Sequence, residues 1–136
     1  MVKPIVRDAF FLNQKSEEAT KADLPVAQDL EDTLKANREH CVGMAANMIG
    51  SRKRIIIVAT GFADMIMINP VIPAKFDPYE AEEGCLSLPG TRKTTRYKSI
   101  TVDYLDKKFE KHTQTFSGHI AQIIQHECDH LEGILI

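Results

Sequence analysis

Polar and apolar positions change period along the chain, and the changes mark its elements. From Asp23 the repeat is helical: Val26, Leu30 and Leu34 fall four apart, with Gln28, Asp29, Glu31, Asp32, Lys35 and Arg38 on the other face. Asp23 can cap this helix and Pro25 suits its first turn, so the spacing predicts a helix to about His40. Arg54 to Thr60 is β-branched and reads as a strand, and Met65 to Asn69 as another ending at Pro70. Pro70, Pro73 and Pro78 then predict a loop-rich connection. Ser99 to Leu105 alternates, with Ile100, Val102 and Tyr104 on one face, and a turn at Asp106-Lys107-Lys108 leads to a partner strand around Phe109 to Phe116. Helical spacing returns at Ile120, Ile124 and Leu131, between a possible N-cap at Ser117 and a stop at Gly133. Residues 1–22 show weak periodicity, and Phe10, Phe11 and Leu12 are expected to tuck onto the domain. The order predicts a single α+β domain over residues 1–136: mainly antiparallel sheets packed around the C-terminal helix, with one N-terminal helix.

Composition narrows the classes of function. With 17 basic and 19 acidic residues the net charge is −2, which leaves no electrostatic footprint for nucleic acid. The longest aliphatic run, Ile55 to Ala59, is too short to span a bilayer. Charged residues stand near the N-terminus where a signal peptide needs an apolar core, so the expected location is cytoplasmic. Cys41, Cys85 and Cys128 are an odd count, and in a reducing compartment structural disulfides are not expected.

The C-terminal helix carries the strongest chemical signal. His126-Glu127-Cys128-Asp129-His130 reads H-E-x-x-H. On a helix His126 and His130 lie on one face and can place two imidazoles on one divalent ion, while Glu127 can reach a water there as general base. The bland alternative is an ordinary helix decorated with polar residues. A catalytic site of this type needs a third protein ligand, and only six residues follow His130; Glu132 is too near in sequence, so the third ligand is expected upstream. His40, at the end of the first helix, reads as a surface or capping residue.

Two further stretches stand in order before this motif: Cys41-Val42-Gly43-Met44-Ala45-Ala46-Asn47-Met48 and Glu83-Gly84-Cys85-Leu86-Ser87. Together the three resemble the peptide deformylases, metallohydrolases that remove the N-terminal formyl group from new bacterial polypeptides. Ile68-Asn69-Pro70, Leu88-Pro89 and Leu131-Glu132-Gly133 extend the likeness over most of the chain. The resemblance implies Cys85, His126 and His130 as ligands of one divalent metal, Fe²⁺ in the cell, with Zn²⁺, Ni²⁺ or Co²⁺ able to occupy the site. It implies Glu127 as general base and the backbone N–H of Leu86 as an oxyanion donor. Gly43 would pair its backbone with the substrate, and Val42, Glu83, Ile123 and His126 would border the methionine slot. Arg92 would anchor its loop or the substrate backbone, and Glu83 would tie to Arg92 or line the pocket. Cys41 and Cys128 read as structural thiols. The implied partner is a formylated N-terminal peptide, met at the ribosome, and the implied state is a monomer.

The sequence departs from the family's first motif, G-φ-G-φ-A-A-x-Q, at both ends. Cys41 replaces the first glycine and Met48 the final glutamine. That glutamine donates a hydrogen bond to the developing oxyanion, and methionine has no donor. Losing one such donor typically costs about 10²–10³ in rate. His119 is polar where a slot for methionine calls for an apolar wall. Two readings follow: a deformylase of reduced activity, or a deformylase-like metal-binding protein with a binding or regulatory role or a different N-acyl substrate.

Overall fold

The aliphatic run Ile55–Val58 becomes the centre of the molecule, buried on both faces. In the computed structural model, which describes residues 1–136, it forms most of β2 (Ile55–Ala59). Ile56 and Val58 point to one core, and Ile55 and Ile57 to another. A strand buried on both sides must be apolar at successive positions, which explains the run.

β2 lies in a five-stranded antiparallel sheet ordered β1-β2-β3-β4-β5, with β1 at Gly43–Ala45, β3 at Asp64–Cys85, β4 at Leu88–Leu105 and β5 at Lys111–Ser117. One face packs on α2 (Leu24–Ala36) through Ala27, Leu30 and Leu34, joined by Met44, Met48 and Ile68. The other packs on α3 (Gly118–Leu131) through Ala121, Ile123, Ile124 and Leu131, with Val102, Tyr104 and Phe116 from the sheet. A short helix, α1 (Ala9–Leu12), precedes them. Its Leu12 is buried as expected, whereas Phe10 points into solvent.

The predicted loop between residues 70 and 78 is strand. β3 continues to Cys85 and pairs with β4 from Ile68↔Leu105 to Cys85↔Leu88, a long hairpin whose tip is Leu86-Ser87. The prolines are tolerated because β2 pairs with β3 only over Asp64–Ile68. Beyond that, β3 has a neighbour on one side only, and an open edge is where a strand accommodates residues without an N–H. The ladder shifts register on either side of Val71, and Asn69 takes a positive φ of 52°. Asn69 uses its side chain to clamp the N-terminal segment, accepting from the Ala19 N–H at 2.8 Å and donating to the Ala19 carbonyl at 3.0 Å. The basic run at Arg92–Arg96 is likewise part of β4.

α3 starts after Ser117, whose side chain makes no capping hydrogen bond. Its end is firmly built. Gly133 adopts φ 75°, the Gly133 N–H donates to the His130 carbonyl at 3.1 Å and the Ile134 N–H to that of Asp129 at 3.0 Å. This paired closure holds the last helical turn, which carries His130. No helix is long and apolar enough to cross a membrane.

Candidate active site

Two elements bring the expected ligands together. Cys85 ends β3 at the hairpin tip, and α3 lays His126 and His130 against it. The Cys85 Sγ lies 3.3 Å from His130 Nε2, which is 3.1 Å from His126 Nε2. The imidazoles meet edge to face at 72°. Ligands bound tetrahedrally at the usual 2.0–2.3 Å stand roughly 3.3–3.7 Å apart, and the three atoms, all within 4.8 Å of one another, are close enough to share a single divalent ion. Thiolate with two imidazoles is a donor set for Zn²⁺ and Fe²⁺. Burial works against a charged His126, yet hydrogen bonds to Cys85 and Glu83 outweigh it and raise its pKa to about 10. His130 is pushed the other way, to about 3, by burial and by the charge on His126.

The other nitrogen of His126 is fixed by a carboxylate, Nδ1 lying 2.8 Å from Glu83 Oε1. That contact turns Nε2 toward His130 Nε2, the arrangement by which a second partner orients a metal-binding histidine. Glu83 is itself held by Arg96, whose Nε and Nη2 reach its carboxylate at 2.7–3.1 Å, and by Gln122 Nε2 at 2.8 Å. Arg96 Nη1 continues to Asp129 Oδ2 at 2.7 Å. Burial would raise the Glu83 pKa, but the hydrogen bonds from His126, Arg96 and Gln122 win and hold it at about 2.

The arginine that ties to Glu83 is therefore Arg96, not Arg92. Glu83 does face Arg92 across the ladder, but the Arg92 side chain turns to the Pro89 carbonyl at 3.4 Å and does not line the cavity. Arg96 lies under α3, where it is 3% exposed and spans Glu83 and Asp129. Its only sequence signal is a basic residue within a run of them.

A cavity of about 230 Å³ opens on Cys85 and His126. Glu127 lines it, buried, with Oε1 unpartnered. An unpaired buried carboxylate oxygen demands a proton donor, such as a water between it and the ion. Burial raises its pKa to about 7, so it is poised to take up and release a proton near neutrality. Gly43 is what lets β1 come so near: a Cβ there would stand 2.6 Å from Ile123 Cγ2 and 3.0 Å from Glu127 Oε2. Val42, Glu83, Ile123, Leu86 and Met48 also line the cavity, joined at its rim by His40 and His119.

Met48 does not offer a donor. It is buried, and its Sδ accepts from the Ala45 N–H at 3.4 Å. Cys41 donates its thiol to the Gly43 carbonyl at 2.8 Å and, chiefly through burial, has a pKa of about 12. Cys128 is also raised to about 12 by burial and lies outside the cavity, so both stay protonated thiols. Arg7 was not singled out by its sequence. Its Nη1 donates to the Leu86 carbonyl at 2.7 Å and so ties the N-terminal segment to the hairpin tip.

The family model for polypeptide deformylase matches residues 2–136. The chain belongs to the peptide deformylase family. It is 62% identical, over the whole length of both chains, to the peptide deformylase of Clostridium beijerinckii. The Met-Ala-Ser-bound class I type b peptide deformylase of Acinetobacter baumannii superposes with a TM-score of 0.88 at 30% identity, covering 99% of this chain and 97% of that one. The Thermotoga maritima peptide deformylase gives 0.89 at 30% identity, covering 99% and 95%. Like other deformylases, the chain is a metal-dependent hydrolase with one metal ion, and it removes the formyl group from nascent peptides. The comparisons give no support to a deformylase-like module without catalysis.

Proposed function

We propose that this deformylase works through Cys85, His126 and His130 as metal ligands and Glu127 as its proton carrier. The observation behind this assignment is the convergence of the three ligand atoms beside an unpartnered, buried Glu127 oxygen. When bound, the ion supplies Lewis acidity toward the formyl oxygen and the attacking water. Glu127 accepts a proton from that water as its oxygen bonds to the formyl carbon. As the C–N bond breaks, Glu127 passes the proton to the departing nitrogen, leaving formate and a free amine. The Leu86 N–H donates to the oxygen that gains charge. Glu83, pinned by Arg96, keeps the His126 ring oriented. The Gly43 backbone pairs with the peptide, and Val42, Glu83 and Ile123 receive the first side chain. Met48 adds no donor, so the oxyanion has one fewer partner and the rate is reduced rather than abolished. Arg92, away from the cavity, steadies the hairpin turn through Pro89.

Fe²⁺ is the proposed metal in the cell, with Zn²⁺, Ni²⁺ and Co²⁺ competent in its place; the thiolate and imidazole donors suit all four. The enzyme acts as a cytoplasmic, single-domain monomer on N-terminal formylmethionine as chains leave the ribosome. The test is turnover of formyl-Met-Ala-Ser by Fe²⁺- or Ni²⁺-loaded protein beside Glu127→Ala. The variant should bind metal and lose turnover. A Glu127→Ala protein that keeps its rate would refute the assignment.

A further inference from the structure

The proposed slot for the first side chain has a polar outer wall. Along α3, His119, Gln122, Ile123, His126 and Glu127 all line the one cavity. The metal end is at His126. His119 sits seven residues earlier, about 10 Å away along the helix axis. Between them the wall is Ile123 beside Gln122, with Val42 opposite from the segment before β1.

Gln122 is oriented. Its Nε2 is committed to Glu83 Oε2 at 2.8 Å, so its amide oxygen faces elsewhere. His119 is exposed, lines this cavity and the neighbouring one beside Phe62, and makes no side-chain hydrogen bond to the rest of the protein, so its ring has an N–H to give. A thioether sulfur is a weak acceptor and uses such a donor poorly. A sulfoxide is a strong acceptor on a chain of the same length. Oxidation by one oxygen turns methionine into this polar side chain.

We propose that His119 makes this slot tolerant of a hydrogen-bonding first side chain, so that formyl peptides beginning with methionine sulfoxide are substrates alongside those beginning with methionine. The inference rests on the reading of this cavity as the formyl-peptide site. An all-apolar slot would leave the sulfoxide oxygen without a partner, a penalty of about tenfold to a hundredfold. In this enzyme the His119 N–H meets that oxygen, and the discrimination shrinks.

The test compares kcat/KM of the metal-loaded protein for formyl-Met-Ala-Ser and its sulfoxide. Calorimetric Kd values for unformylated Met-Ala-Ser and its sulfoxide are measured in parallel. The sulfoxide should fall within fivefold of methionine in the wild type. His119→Leu should widen its disadvantage at least fivefold, and His119→Gln, which keeps a donor, should widen it less. A wild-type disadvantage beyond fivefold, or a ratio that His119→Leu moves by less than fivefold, overturns the proposal. The calorimetric ratios stand without turnover, so a failure of the slot and a failure of deformylation are told apart.

Discussion

In the proposed mechanism Met48 is where single-residue chemistry bears most on rate. Its thioether has no proton to give an oxyanion, and its sulfur accepts from the Ala45 N–H. Met48→Gln should raise kcat for formyl-Met-Ala-Ser at least tenfold, given the roughly 10²–10³ such a donor is worth; no gain with metal bound in both proteins would sink the argument. Gly43 makes the opposite case. A methyl group there runs into Ile123 and Glu127. Gly43→Ala should lower stability by about 1–3 kcal/mol, as overpacking does, and cut kcat/KM, read by thermal melting and steady-state kinetics. Glu83 sets an acid limit on the metal-free protein. Its folded pKa of about 2 lies below the ordinary 4.5, so ionised Glu83 stabilises the fold. By linkage that contribution is complete above about pH 4.5 and is lost as pH falls toward 2. Urea midpoints of the apoprotein should drop across this window, and less steeply in Glu83→Gln.

At the scale of elements, the ends of α3 and the tip of the β3–β4 hairpin set the site. The closure at Gly133 fixes the turn bearing His130, and the Asn13 carbonyl would lie 2.6 Å from a Cβ at that position. Gly133→Ala combines a positive φ with this clash, and should cost roughly 1–3 kcal/mol and weaken metal retention, measured by denaturation and by ion release to a chelator. The meeting of His126 and His130 on one face of α3 was legible in the sequence because H-E-x-x-H needs only helical spacing to bring them together. Cys85 was legible only through the resemblance of Glu83-Gly84-Cys85-Leu86-Ser87 to the family's motif; the residues alone asked for no more than an upstream ligand. The strand from residue 70 to 85 was hidden by its prolines, since edge position is a property of the assembled sheet and leaves no local trace. Arg96 was hidden for a related reason. Which arginine meets Glu83 depends on where α3 crosses β4, and local pairing alone favours Arg92.

For the whole molecule, the sheet carries α2 on one face and α3 on the other, and Cys85 arrives at α3 from the far end of a hairpin that begins at Asp64. The metal would therefore tie two distant parts of the chain, Cys85 to His126 and His130. Ion binding that joins such elements should stabilise the fold, so loaded protein should melt above apoprotein by an amount that grows with free metal. In the proposed mechanism one ion held by Cys85, His126 and His130 makes the enzyme work. Its most direct test is turnover of formyl-Met-Ala-Ser as Ni²⁺ is titrated into anaerobic apoprotein. Turnover should rise in proportion to bound metal and saturate at one ion per chain. Full occupancy without turnover, or turnover indifferent to the ion, would contradict it.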